Sequence, residues 1–197
     1  MDEKFEAIVL GILADKYATC ECFFNQELIT GLRNNLLHRQ AGHRMHPASI
    51  GRKFTNQQNK EVRGDVISWL EDDATDVHER AFLDTIAEFY RYLNRTCYTG
   101  INACEFHYAL YEKGSFYRRH LDQFRQDSGR QFSVVTYLND DWTEADGGQL
   151  VLYLESGEVS IQLKPGLAVF FKADEIEHEV KVAQRGRMSI AGWLLSG

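Results

Sequence analysis

Cysteine is scarce in this chain and follows no pattern. Four occur in 197 residues, Cys20, Cys22, Cys97 and Cys104, and no second pair extends Cys20 and Cys22 into a zinc-binding frame. They read as free thiols in a reducing cytosol. Proline is scarcer still, with Pro47 and Pro165 alone, and Pro165-Gly166 marks a turn between strands. No apolar run reaches transmembrane length. Excess positive charge is also missing: the formal net charge is −7, which leaves the whole molecule without a nucleic-acid footprint. "MDEKFEAIVLGILADKY" lacks the basic start, long apolar core and cleavage site of a secretory leader. Repeats and low-complexity linkers are absent. The expectation is a cytoplasmic, monomeric protein with no membrane partner, built as a single domain over residues 1–197.

What is present is a strong hydrophobic pattern that changes its period near residue 100. A content of 44% hydrophobic and 12% aromatic residues is enough to fill a core. In the first half the period is helical. Phe5, Ile8, Val9, Ile12 and Leu13 predict a first helix. Residues 25–37 predict a second, with Asn25 as N-cap. Residues 76–95 predict a third, with Val77, Ala81, Phe82, Ile86, Phe89, Tyr90 and Leu93 on its stripe. "CECFF" between the first two helices reads as a strand. After residue 100 come short strand-like runs, "INACEFHYALY", "QFSVVTYLN", "GQLVLYLE", "VSIQL", "LAVFFK", "HEVKVA" and "RMSIAGWLL", separated by turn signals. The predicted class is mainly β with flanking α-helices. Residues 1–99 would give helical support and residues 100–197 a jelly-roll core.

Residues 38–63 stand apart. Arg39, Arg44, Arg52, Lys53, Lys60 and Arg63 face a single acid, Glu61, so the segment carries +5 within a chain of −7. A polar stretch of that length is a solvated loop or a functional lid.

Chemistry enters at "YEKGSFYRRHLDQF". Residues two apart on a strand point the same way, so His120 and Asp122 can aim two ligands at one metal. Taken alone, the pair is a weak signal and reads more readily as surface charge. His178, in "DEIEHEVKV", adds a third ligand. Two histidines and a carboxylate form the facial triad of non-haem iron(II) oxygenases, which leaves three coordination positions open. Arg187 follows nine residues later, on a strand face shared with Ser189, Ala191 and Trp193. A buried arginine calls for an anion, and its planar fork fits a carboxylate. A dicarboxylic co-substrate could then chelate the metal at one end and meet Arg187 at the other.

On these motifs the chain resembles the Fe(II)/2-oxoglutarate-dependent dioxygenases with a double-stranded β-helix fold. It is most similar to the prolyl hydroxylase-domain group, the hypoxia-inducible factor hydroxylases and their compact bacterial counterparts. The matching text runs from "EVRGDVISWLED" through "YEKGSFYRRHLD", "VVTYLNDDW", "DGGQLVLY" and "HEV" to "RMSIAGW", about residues 60–195. The resemblance implies that His120, Asp122 and His178 bind iron(II), and that Arg187 and Tyr137 hold the distal carboxylate of 2-oxoglutarate. It implies that Tyr111 and Leu150 line the co-substrate pocket and that Trp193 walls it near the iron. Arg63 and Asp65 would end a loop that closes over the substrate, making 38–63 the lid.

The activity so implied couples O2 and 2-oxoglutarate decarboxylation to C–H hydroxylation, releasing succinate and carbon dioxide, with ascorbate as a candidate accessory. The implied substrate is a proline in a protein or peptide, and translation factors are candidates by family analogy; oxygen sensing is a further role found in the family. Two other readings stand beside it: an oxygenase of a small molecule or another side chain, and a non-catalytic cupin-like metal-binding module. Nucleic-acid repair oxygenases carry a second arginine six residues after the first, where this chain has Trp193.

Overall fold

The computed structural model describes residues 2–48, 61–71, 73–123 and 129–197. Three helices, α1 (Asp2–Asp15), α2 (Gln26–Ala41) and α3 (Val77–Cys97), lie in the first half. Strands β1 (Tyr17–Cys20), β2 (His46–Pro47) and β3 (Val66–Trp69) are interleaved with them. The second half supplies β4 (Ala103–Tyr111), β5 (Tyr117–His120), β6 (Arg130–Tyr137), β7 (Leu150–Leu154), β8 (Gly157–Ile161), β9 (Ala168–Lys172), β10 (Glu177–Val180) and β11 (Arg187–Leu195). The strands form two antiparallel sheets, one of seven strands in the order β1-β9-β6-β11-β4-β3-β2 and one of four in the order β5-β10-β7-β8. The fold matches the mainly β, double-stranded β-helix expectation. Among the described residues no helix is long and apolar enough to cross a membrane.

Side-chain alternation explains the two layers. On β6, Phe132 and Val134 join the core beneath the helices, while Val135 and Tyr137 point between the sheets. β9 divides likewise, with Ala168 and Phe170 on one side and Val169 and Phe171 on the other. The larger sheet is therefore covered on both faces, which is why its strands read as near-continuous apolar runs. Gly192 pairs with Phe106 where β11 runs beside β4; a Cβ there would lie 2.1 Å from the Glu105 carbonyl oxygen, so no larger residue fits that approach.

Helix starts follow their caps. The Asn25 side chain accepts from the Leu28 N–H at 2.8 Å, and Asp76 accepts from His78 and Glu79 N–H groups. Some expected details differ. Leu13 is exposed, so the buried stripe of α1 ends at Ile12. Val77 and Ala81 are exposed on α3, whose inner face is Glu79, Phe82, Ile86, Phe89 and Leu93. Glu79 can occupy that face because the Arg39 guanidinium and the Tyr108 hydroxyl donate to its carboxylate at 2.9–3.0 Å. The strand near "CECFF" is also displaced: β1 ends at Cys20, and Cys22 has φ 52°, outside any strand. Phe23 and Phe24 then both turn into the core, with ring centroids 4.8 Å apart.

Candidate active site

β5 and β10 are neighbours, and their register sets His120 directly across from His178. The expected extended His-x-Asp stretch is shorter than its motif: β5 ends at His120, and Asp122 follows in a bend. The bend still brings the carboxylate home. Asp122 Oδ1 lies 3.4 Å from His120 Nε2 and Oδ2 lies 3.5 Å from His178 Nε2. One ligand atom from each residue falls within 4.8 Å of the others.

The donor set fits a divalent metal. His120 Nδ1 sits 2.7 Å from the Arg118 carbonyl and His178 Nδ1 sits 3.2 Å from the Ile176 carbonyl. A carbonyl only accepts, so each Nδ1 carries a proton, and Nε2 is the ring nitrogen left to face Asp122 and a metal. His120 Nε2 is buried with no hydrogen-bond partner. Burial pulls the His178 pKa down to about 4 and keeps that ring neutral. Burial opposes ionisation of Asp122, yet attraction to the imidazoles of His178 and His120 in their protonated form and a hydrogen bond from Ser133 outweigh it and hold the carboxyl well below the usual range. A neutral His178 and an ionised Asp122 are protonation states that metal ligands need.

Ser133, on the inner face of β6, donates to Asp122 Oδ2 at 2.6 Å and fixes the orientation of that carboxylate. Ser133→Ala is expected to weaken manganese(II) or iron(II) binding by about 10–100-fold, measured by titration calorimetry, with the fold intact by circular dichroism. Unchanged metal affinity would remove Ser133 from an orienting role.

A cavity of about 770 Å³ opens beside the triad. Tyr111, Leu150, Trp193, Arg63 and Arg187 line it together with His120, Asp122 and His178. Arg187 is 1% exposed, yet its partners are all neutral: Nε donates to the Gly148 carbonyl at 2.8 Å and Nη1 to Ser189 Oγ at 3.0 Å. Its guanidinium carbon stands 4.9 Å from the Tyr111 ring and 5.2 Å from the Tyr137 ring. Among the described residues no carboxylate lies within ion-pair distance of it, so a buried cation awaits an anion. The Tyr137 hydroxyl beside it is buried without a partner, and burial raises its pKa to about 12, which keeps the proton available for donation. Arg187 and His178 belong to consecutive strands but to different sheets, and both line the cavity.

Arg63 and Asp65 form a buried bidentate pair at 2.7 and 2.6 Å. Arg63 also lies 4.1 Å over the Tyr117 ring, which stacks on His120 at 3.6 Å. Tyr117 therefore packs one candidate ligand in place, and the Arg63 end of the basic segment is tied to β5. Residues 49–60 of the expected lid lie outside the described residues.

Three cavity residues escaped the sequence reading. His107, Trp69 and Arg130 gather around Trp193, with His107 4.9 Å from Trp69 and 5.7 Å from Trp193 between ring centroids. Arg130 stacks 3.5 Å over Trp193 and donates to the Asp122 carbonyl at 3.0 Å. Strand alternation could have found His107, which shares its face of β4 with Ala109 and Tyr111. Trp69 then follows, because it pairs with His107 across β3 and β4.

Residues 106–195 match the 2OG-Fe(II) oxygenase superfamily. The structure is similar to a Pseudomonas putida prolyl-4-hydroxylase, with a TM-score of 0.89 and 31% identity over 98% of this chain and 99% of that one. It shares its fold with a Trichoplax adhaerens prolyl hydroxylase solved with a hypoxia-inducible factor peptide fragment: TM-score 0.88, 24% identity, 99% of this chain and 90% of that one. A PKHD-type hydroxylase of Maricaulis maris is 30% identical over 86 residues, which span 44% of this chain and only 39% of that relative. With the full-length likeness at 31% identity and the superfamily match across the strands that carry the triad and Arg187, the chain belongs to the 2OG-Fe(II) oxygenase superfamily.

Proposed function

We propose that the protein is a prolyl 4-hydroxylase of a peptide or protein substrate, with iron(II) held by His120, Asp122 and His178. The observation that carries the reading is Arg187, a buried cation with only neutral partners, in the same cavity as the triad. That arrangement suits a dicarboxylate whose far carboxylate accepts from Arg187 and Tyr137 while its other end reaches the metal. Bound iron(II), 2-oxoglutarate and O2 supply the oxidising chemistry that places oxygen on a C–H bond and yields succinate and carbon dioxide. The protein's own part is orientation and exclusion of water. Tyr111 and Leu150, 4% and 1% exposed, wall the co-substrate end. Ser189 and Ala191 are small and leave it volume. Trp193 stands toward the target side.

A peptide substrate is supported by the end-to-end likeness to a prolyl-4-hydroxylase and by the cavity's exposed rim at Arg44, His46 and Pro47. Iron(II), 2-oxoglutarate and a proteolytic digest of host proteins are expected to give iron-dependent succinate and peptides whose proline has gained one oxygen atom, read by tandem mass spectrometry. Oxygen gained at another residue would overturn the prolyl assignment. Absence of succinate with every substrate would leave a metal-binding module instead.

A further inference from the structure

Two buried polar atoms in this cavity have no partner and no part in holding metal or 2-oxoglutarate: His107 Nδ1 and Trp193 Nε1. Burial, then the charge of Arg63, pulls the His107 pKa down to about 4, so the ring is neutral near neutral pH. A neutral ring nitrogen and an indole N–H, left unpaired and dry, are costly unless something completes them. Their rings are 5.7 Å apart, with Trp69 packed edge-on to His107 as a third wall. The nearby guanidiniums already have acidic partners: Arg39 has Glu79, Arg63 has Asp65, and Arg130 has Glu105 at 4.0 Å besides the Trp193 face and the Asp122 carbonyl. An anion therefore finds no uncommitted charge there. A flat, neutral group that both donates and accepts fits better.

We propose that His107, Trp193 and Trp69 form a subsite for a neutral amide, the peptide group beside the reacting residue, whose carbonyl accepts from Trp193 and whose N–H meets His107. His107 is then a specificity-determining residue. The subsite deepens the peptide reading above and rests on it for its biological meaning, although amide binding can be measured without turnover.

The test uses the full chain, labelled with nitrogen-15, its metal site filled by zinc(II) and 2-oxoglutarate added. The indole signals of Trp69, Trp142 and Trp193 are followed by NMR during titration with N-methylacetamide or with methyl acetate, the ester that lacks the N–H. A saturable shift of the Trp193 signal is expected, tighter for the amide than for the ester, with the difference lost in His107→Leu. No saturable shift, or equal response to both probes, would mean that no amide completes these atoms, and the subsite would be abandoned. The comparison in the parent protein holds even if the variant fails to fold. With a hydroxylated peptide in hand, His107→Leu should raise the peptide KM about tenfold, and by more than it raises the 2-oxoglutarate KM. A protein that separates amide from ester but oxidises no proline keeps the subsite and loses the prolyl reading. One that oxidises proline without separating them loses the subsite alone.

Discussion

Asp122→Ala is expected to leave no measurable iron-dependent turnover of 2-oxoglutarate. Losing an outer partner of a metal ligand costs about 10–100-fold in metal affinity or activity, and losing a ligand itself should exceed that. The geometry makes the effect specific. Asp122 is the one carboxylate in the cluster, and its two oxygens face both histidine Nε2 atoms at 3.4 and 3.5 Å. Without it, two neutral imidazoles would have to hold a divalent cation in a buried pocket with no ligand charge to offset it. The metal-free fold should not suffer in the same way. In the absence of metal, the folded surroundings hold Asp122 ionised despite its burial, so its removal costs the apo fold some stability that does not depend on added metal. Thermal melting therefore separates the two effects. The parent should melt higher when manganese(II) is added, by linkage, and the variant should melt at one temperature with or without it. Succinate release at the parent rate, or an undiminished manganese shift in the variant, would show that the ligands have been misassigned.

How much of this was legible in the sequence depended on whether each residue's neighbours were local. His120 and Asp122 are two apart, and nine residues with one turn between strands separate His178 from Arg187, so local pattern could mark each pair, while the link between the two pairs rested on the family resemblance. The β-layers were legible for the same reason: alternation along β6 and β9 is a property of each strand alone. What failed was whatever depended on a distant partner. The stripe predicted for α3 leaves out Glu79, which is buried because Arg39, forty residues earlier, and Tyr108 meet it. "CECFF" has strand-like composition, but two consecutive buried phenylalanines cannot share one face of a strand, and the turn at Cys22 is what delivers both. His107 reads as one polar residue in an apolar run. Its meaning appears only when β3 and β11 bring Trp69 and Trp193 to it. Arg63 and Asp65 could be marked as a motif, but nothing local foretold that Arg63 would rest on Tyr117 and so brace His120.

Arg187→Met should raise the 2-oxoglutarate KM by about two orders of magnitude, the scale of removing one partner from a buried, hydrogen-bonded charge pair. Methionine fills much of the same volume, so the loss reports charge and hydrogen bonds more than a new cavity. Arg187→Lys should fall between, since an ammonium keeps the charge but cannot present the planar fork or hold Gly148 and Ser189 at once. The two states of the protein should respond in opposite senses. Without co-substrate, Arg187 is a buried cation among neutral groups, and its removal should leave thermal stability unchanged or improved. With co-substrate, the parent gains stability from a bound dianion and the methionine variant should gain almost none. That crossing of effects distinguishes a binding residue from a structural one, because a structural arginine would destabilise both states when lost. Tyr137→Phe supplies the graded companion. It deletes one buried hydroxyl without charge and should raise the 2-oxoglutarate KM about tenfold. A 2-oxoglutarate requirement that stays at the parent value in Arg187→Met would place the dicarboxylate elsewhere and leave the buried arginine unexplained.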